Sequence, residues 1–144
     1  MREADVKAYL AAGAGIERQL YKFALYQLGD ERAAAEVLRQ AYVAAYATGA
    51  PAGASRAFAL NAFAAAWEAC RFCVCPYALH RPPITDLLRA APLKRRAAFV
   101  LTAICRFDAR DAARILGIPE QAVRQSVRAL AQASSPYLAA APAR

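Results

Sequence analysis

A single histidine, His80, is all the imidazole this sequence has, and no Ser/His/Asp arrangement or phosphate-binding glycine loop accompanies it. General acid–base, nucleophilic and nucleotide chemistry lack their usual groups, so the chain reads as a non-enzyme. Strand signals are nearly missing as well, since no stretch sustains an alternation of β-branched and polar residues. The apolar runs are short, alanine-rich and broken by charge, well below the length that spans a bilayer. No segment reads as a signal peptide. The expectation is a cytoplasmic protein with no membrane partner, whose four cysteines are reduced thiols.

What the chain has in quantity is alanine. Forty of its 144 residues are Ala, so the 59% hydrophobic content overstates the bulky core while favouring helix throughout. The fold class that follows is all-α. Charge is divided unevenly along it. Residues 1–70 carry seven Lys/Arg and seven Asp/Glu, whereas residues 71–144 carry twelve against four, so the whole net charge of +8 lies in the second half. A basic half joined to a neutral half suits a polyanion-binding module attached to a protein-binding one.

Helical periodicity and punctuation divide the chain further. Val6, Tyr9 and Leu10 mark a short first helix, loosened at Gly13 and Gly15. A second runs from about Ile16 to Leu28, with Leu20, Phe23, Ala24 and Leu28 on one face. Asp30 caps a third that ends near Tyr46, and Ser55 caps a fourth carrying Phe58, Ala62, Phe63, Ala66, Trp67 and Cys70. Residues 72–83, with Pro76, Pro82 and Pro83, form a stiff linker. A new helix starts at Ile84, and Pro92 restarts another over Leu93 to Cys105. The expected organisation is two small helical units, 1–71 and 84–133, joined by the Pro/Cys-containing linker 72–83 and followed by a flexible tail, 134–144.

The most specific pattern lies between Phe107 and Ala131. Asp108 can cap a short helix with Ala112, Ile115 and Leu116 inside, Gly117 stands where that helix must stop, and Ile118 plugs the corner. Pro119 opens a second helix, whose Val123, Val127 and Leu130 face inward. Gln121, Arg124, Gln125 and Arg128 then point outward, as in the recognition helix of a helix-turn-helix laid in the major groove. The alternative is an ordinary helical hairpin with a solvated outer face. Lys94, Arg95 and Arg96 add a basic run at a helix start, where cations oppose the helix dipole. Phosphate contact explains it, as does a plain solvated charge run.

Taken together, the two halves resemble the small bacterial sigma factors of the extracytoplasmic-function type. The stretch from Leu28-Gly29-Asp30 through Ala33-Ala34-Ala35-Glu36-Val37-Leu38 to Tyr42 and Tyr46 is similar, without gaps, to that family's "L-G-D-x-x-x-A-E-D-L-x-Q-E-x-F-x-x-x-W". Leu93 to Leu101, then Asp111-Ala112-Ala113-Arg114-Ile115-Leu116-Gly117-Ile118 and Val123-Arg124, resemble its C-terminal pattern, so that the likeness covers about residues 15–132. In the family a helical region 2 binds RNA polymerase and the −10 element, and region 4 reads the −35 element. The resemblance implies a transcription initiation factor with DNA and bacterial RNA polymerase core as partners, and an anti-sigma or other regulatory protein as a further one. It assigns polymerase contact to the positions of Glu36, Arg39 and Gln40. There the family's Gln and Glu are replaced by Arg39 and Gln40, which weakens attraction to a basic partner surface. The helix in the −10-reading position has Asn61, Phe63 and Trp67 but Ala64-Ala65-Ala66 at its middle, thin equipment for holding separated strands. A sigma-like module that binds polymerase or a regulator without opening promoters is therefore the alternative.

Cys70, Cys73 and Cys75 form C-x2-C-x-C, with His80 five residues on. Three thiolates and an imidazole make a possible tetrahedral zinc set. Against that, Cys70 shares helical spacing with Phe63 and Trp67, as a small buried hydrophobe would, and Cys105, outside this set, reads as a core residue. No other cofactor is implied.

Overall fold

Two aspartates and two glycines set several of the helix ends. The computed structural model describes residues 3–47, 55–73, 75, 77, 78 and 84–140, and within these all regular secondary structure is helical, with no strand. Helix α1 spans Glu3–Leu28 and stops at Gly29, which is left-handed at φ +69°. The Asp30 carboxylate then accepts the Ala33 N–H at 2.8 Å, capping α2, Glu31–Ala47. Helix α3 covers Ser55–Arg71 and α4 covers Ile84–Ala90. Pro92 precedes α5, Leu93–Phe99, which runs straight on into a π-helical turn, Val100–Ile104. Helix α6 is Ala109–Leu116 and α7 is Glu120–Ala140.

Two boundaries differ from expectation. Gly13 and Gly15 do not interrupt α1, which is one helix from Glu3 to Leu28. A glycine costs only about 1 kcal/mol against alanine in a helix interior, and three alanines, Ala11, Ala12 and Ala14, flank or separate these two. Helix α7 likewise continues to Ala140, through residues 134–140 that composition assigns to a tail.

The apolar stripes meet in one core. Leu20, Phe23, Ala24 and Leu28 of α1 bury against Ala34, Val37, Ala41 and Ala45 of α2 and the Phe58–Cys70 stripe of α3. Leu88, Ala97, Val100 and Leu101 pack with Ala112, Ile115, Leu116, Val123 and Leu130 farther along the chain. Contacts cross between the two groups, α3 lying against α6 and α1 against α4, α5 and the π-turn. Phe63 sits between them, edge-on to Phe23 of α1 at 5.8 Å and to Phe107 before α6 at 4.7 Å. Arg56 of α3 pairs with Asp111 of α6 at 2.6 Å.

A polar joint lies beside this core. Gln27, fully buried in α1, donates from Nε2 to the Leu93 carbonyl at 2.8 Å. Tyr77 lies on the α1–α2 corner, where a Cβ on Gly29 would come within 2.3 Å of its ring. Its hydroxyl donates to the Tyr26 carbonyl, and the Ala78 N–H donates to the Gly29 carbonyl. The Arg89 and Arg96 guanidiniums stand 5.5 and 5.3 Å from the same ring.

Candidate nucleic-acid interface

The turn between α6 and α7 is built by local chemistry alone. Asp108 accepts the Asp111 N–H at 2.8 Å, which satisfies one of the free donors at the start of α6. Gly117 ends that helix at φ 67° and ψ 35°, and the Ile118 N–H reaches back to the Ala113 carbonyl at 3.1 Å. Half-buried Ile118 closes the corner against the core. The Pro119 carbonyl accepts from the Ala122 and Val123 N–H groups, so proline stands just ahead of α7, where its missing donor is not needed.

With Val123 and Leu130 buried and Val127 half-buried, one face of α7 is fixed inward. Gln121, Arg124, Gln125 and Arg128 are all exposed, and their spacing puts them on one face of the helix. Arg124 pairs with Glu120 at 2.5 Å one turn earlier. Arg128 has no carboxylate partner among the described residues. Neighbouring α6 adds exposed Arg110 and Arg114, one turn apart and also without carboxylate partners among the described residues. Exposed Arg106 follows the π-turn in a left-handed conformation, φ 66°. These three arginines were not among the sequence candidates, although the i,i+4 spacing of Arg110 and Arg114 makes a shared outer face readable.

The basic run on α5 does not act as one patch. Lys94 and Arg95 are exposed, but Arg96 is turned inward. Its guanidinium donates to the carbonyls of Gln27, Arg89 and Ala91 at 2.5, 3.2 and 3.1 Å. Burial pulls its pKa down. Arg96 joins α5 to the end of α1 through its two terminal nitrogens, both bonded to protein carbonyls, while its buried Nε has no partner among the described residues.

Glu36, Arg39 and Gln40 come together on the exposed side of α2. Arg39 reaches both Glu36 oxygens, from Nη2 at 2.5 Å and Nε at 3.1 Å, and Gln40 Nε2 donates to Glu36 Oε1 at 3.1 Å. The hydrogen bonds from Arg39 and then Gln40 hold the Glu36 carboxyl down at about 2. The cluster thus presents a paired charge, not a free carboxylate.

Cys70 is fully buried at the end of α3, and burial pushes its thiol up to about 12. Cys73 and Cys75 are half-buried, the Cys75 thiol donating to the Leu28 carbonyl at 3.7 Å, and burial followed by the Cys73 thiol raises Cys75 to about 11. Cys105 is buried, donates to the Gln19 carbonyl at 3.6 Å and is likewise raised to about 12. Among the described residues no group of three or more His, Cys, Asp or Glu is arranged to hold a metal ion, and His80 lies outside those residues. Among them, too, no helix is long and apolar enough to cross a membrane.

Comparison with protein-family models, with curated proteins and with solved structures finds no match to the chain.

Proposed function

We propose that the protein is a DNA-binding transcription initiation factor of the sigma type, in which α6 and α7 form a helix-turn-helix that reads a −35-like element. The observation that carries this reading is the outer face of α7. Two amides and two guanidiniums, Gln121, Gln125, Arg124 and Arg128, share a face of a helix whose opposite side is locked into the core. Those are the side chains best suited to base edges, Arg to guanine and Gln to adenine. Exposed Lys94, Arg95, Arg110 and Arg114 supply cations for phosphate, while Arg96 is left out of that set. In this reading residues 1–71 are the polymerase-facing unit, 72–83 join it to the reading unit, and the protein works in the cytoplasm.

The Glu36 geometry favours a second reading. A carboxylate already chelated by Arg39 offers little attraction to a basic clamp helix, which suits a sigma-like module that binds polymerase or a regulator without opening promoters. Reconstituted transcription separates the two. Purified protein with bacterial core polymerase on a library of promoter fragments gives specific initiation if it is a working sigma factor. Core binding without initiation supports the module, and failure to bind either core or DNA contradicts both.

A further inference from the structure

The least regular backbone in the described chain gathers at one place, beside α7. Between α5 and α6 the helix widens into the π-turn Val100–Ile104, closed by the Cys105 N–H on the Val100 carbonyl at 2.9 Å. The chain then passes through left-handed Arg106, and the Phe107 N–H returns to the Leu101 carbonyl at 3.0 Å. π-Turns are rare and concentrate at functional sites, and a non-glycine residue at positive φ persists only where its surroundings hold it. Beside this segment lies a groove of about 310 Å³, lined by Thr102 of the π-turn, by Phe107 and Ala109, and by α7.

Its chemistry is two-sided. The walls are Phe107, Ala109, Val123 and Val127, and Thr102 is the one hydroxyl. That hydroxyl is already occupied, donating to the Ala98 carbonyl at 2.9 Å and lying 3.3 Å from the Phe99 carbonyl. Two cations, Arg124 and Arg128, complete the lining, and no carboxylate takes part in it. Arg124 is tied to Glu120, which leaves Arg128 as the cation without a carboxylate partner among the described residues. An apolar body fits the walls and one negative group fits the arginine edge. A polyhydroxylated or multiply charged ligand finds no donors or acceptors along the walls. The volume is at the small end of the roughly 300–1,000 Å³ range of ligand clefts, so the body is a short alkyl chain or a single aromatic ring.

We propose that this groove binds a small amphipathic carboxylate, its apolar body between Phe107 and Val127 and its carboxylate on Arg128. Since Arg124 and Arg128 also belong to the outer face of α7, occupancy competes with DNA. The competition rests on the DNA-binding reading, whereas the groove itself does not.

Octanoate is the probe, with acetate and 1-octanol as charge-only and body-only controls, titrated calorimetrically into the full chain. The expected result is saturable binding of octanoate, at least tenfold tighter than either control. Arg128→Gln and the groove-filling Val127→Phe each weaken it tenfold or more while far-ultraviolet circular dichroism stays unchanged. Arg128 is exposed, so its variant remains informative if Val127→Phe misfolds. Absence of saturable octanoate binding, or equal affinity in wild type and Arg128→Gln, overturns the proposal. In a parallel assay octanoate displaces a labelled duplex from the wild type. A wild type that binds octanoate but no DNA contradicts the DNA-binding reading and leaves the groove assignment standing.

Discussion

Gly29 and Gly117 have almost the same backbone geometry, φ +69° and +67°, in very different surroundings. Around Gly117 a Cβ meets nothing within 4 Å, whereas at Gly29 it would sit 2.3 Å from the Tyr77 ring. Gly117→Ala therefore carries only the left-handed penalty, about 1–2 kcal/mol. Gly29→Ala adds displacement of Tyr77, and the sum exceeds about 3 kcal/mol. Urea midpoints of the two variants check the order, and equal losses would contradict the packing of Tyr77 on the corner. Glu36 offers a second test at this scale. Its folded pKa lies below the ordinary 4.5, so the favourable pairing with Arg39 is complete above about 4.5 and is lost as pH falls toward about 2. The pair is exposed and contributes little to stability, so the readout is the titration itself. Carboxyl NMR should place the Glu36 midpoint near 2 in the wild type and shift it upward in Arg39→Ala, where the Gln40 hydrogen bond remains.

Among the elements, α5 separates two neighbouring arginines into different tasks. Arg96→Ala removes three hydrogen bonds from a charged donor to main-chain carbonyls, and a loss of about 2–3 kcal/mol in unfolding free energy is expected. Arg95→Ala should leave stability within about 0.5 kcal/mol. On the proposed DNA-binding reading it should lower the salt dependence of that binding by about one phosphate contact. Reversal of that pattern would return Arg96 to the surface. Nothing in Lys94-Arg95-Arg96 distinguishes the third residue from the first two, because its partners lie as far as 69 residues away. Helix ends were far more legible. Asp30, Pro92, Asp108 and Gly117 act through their own backbone and the next turn, so their effect is written locally. Gly13 and Gly15 misled for the opposite reason, their small penalty being offset by a long alanine-rich helix. In the candidate interface, the outward set on α7 was readable from period alone. The groove was not, since its lining comes from segments as far apart as Thr102 and Arg128, and no residue pattern announces the π-turn that carries Thr102.

At the scale of the molecule, the residues before and after the proline-rich segment share one core, with Phe63 joining Phe23 to Phe107. Unfolding should accordingly be a single transition, coincident by circular dichroism and by Trp67 fluorescence. Phe63→Ala should lower its stability by about 3–5 kcal/mol without splitting it. Two separate transitions would mean that the halves fold independently. The same packing leaves the Gln121, Arg124, Gln125 and Arg128 face exposed, so the proposed DNA contact needs no opening of the molecule. That claim is tested most directly by fluorescence anisotropy of a random duplex library against salt concentration, for the wild type and for Arg124→Ala/Arg128→Ala. The account predicts an affinity that falls linearly on logarithmic axes as salt rises. It predicts a double variant at least about tenfold weaker, with a shallower slope and an unchanged helical spectrum. Equal binding by the two proteins, or no salt-dependent binding at all, would contradict it.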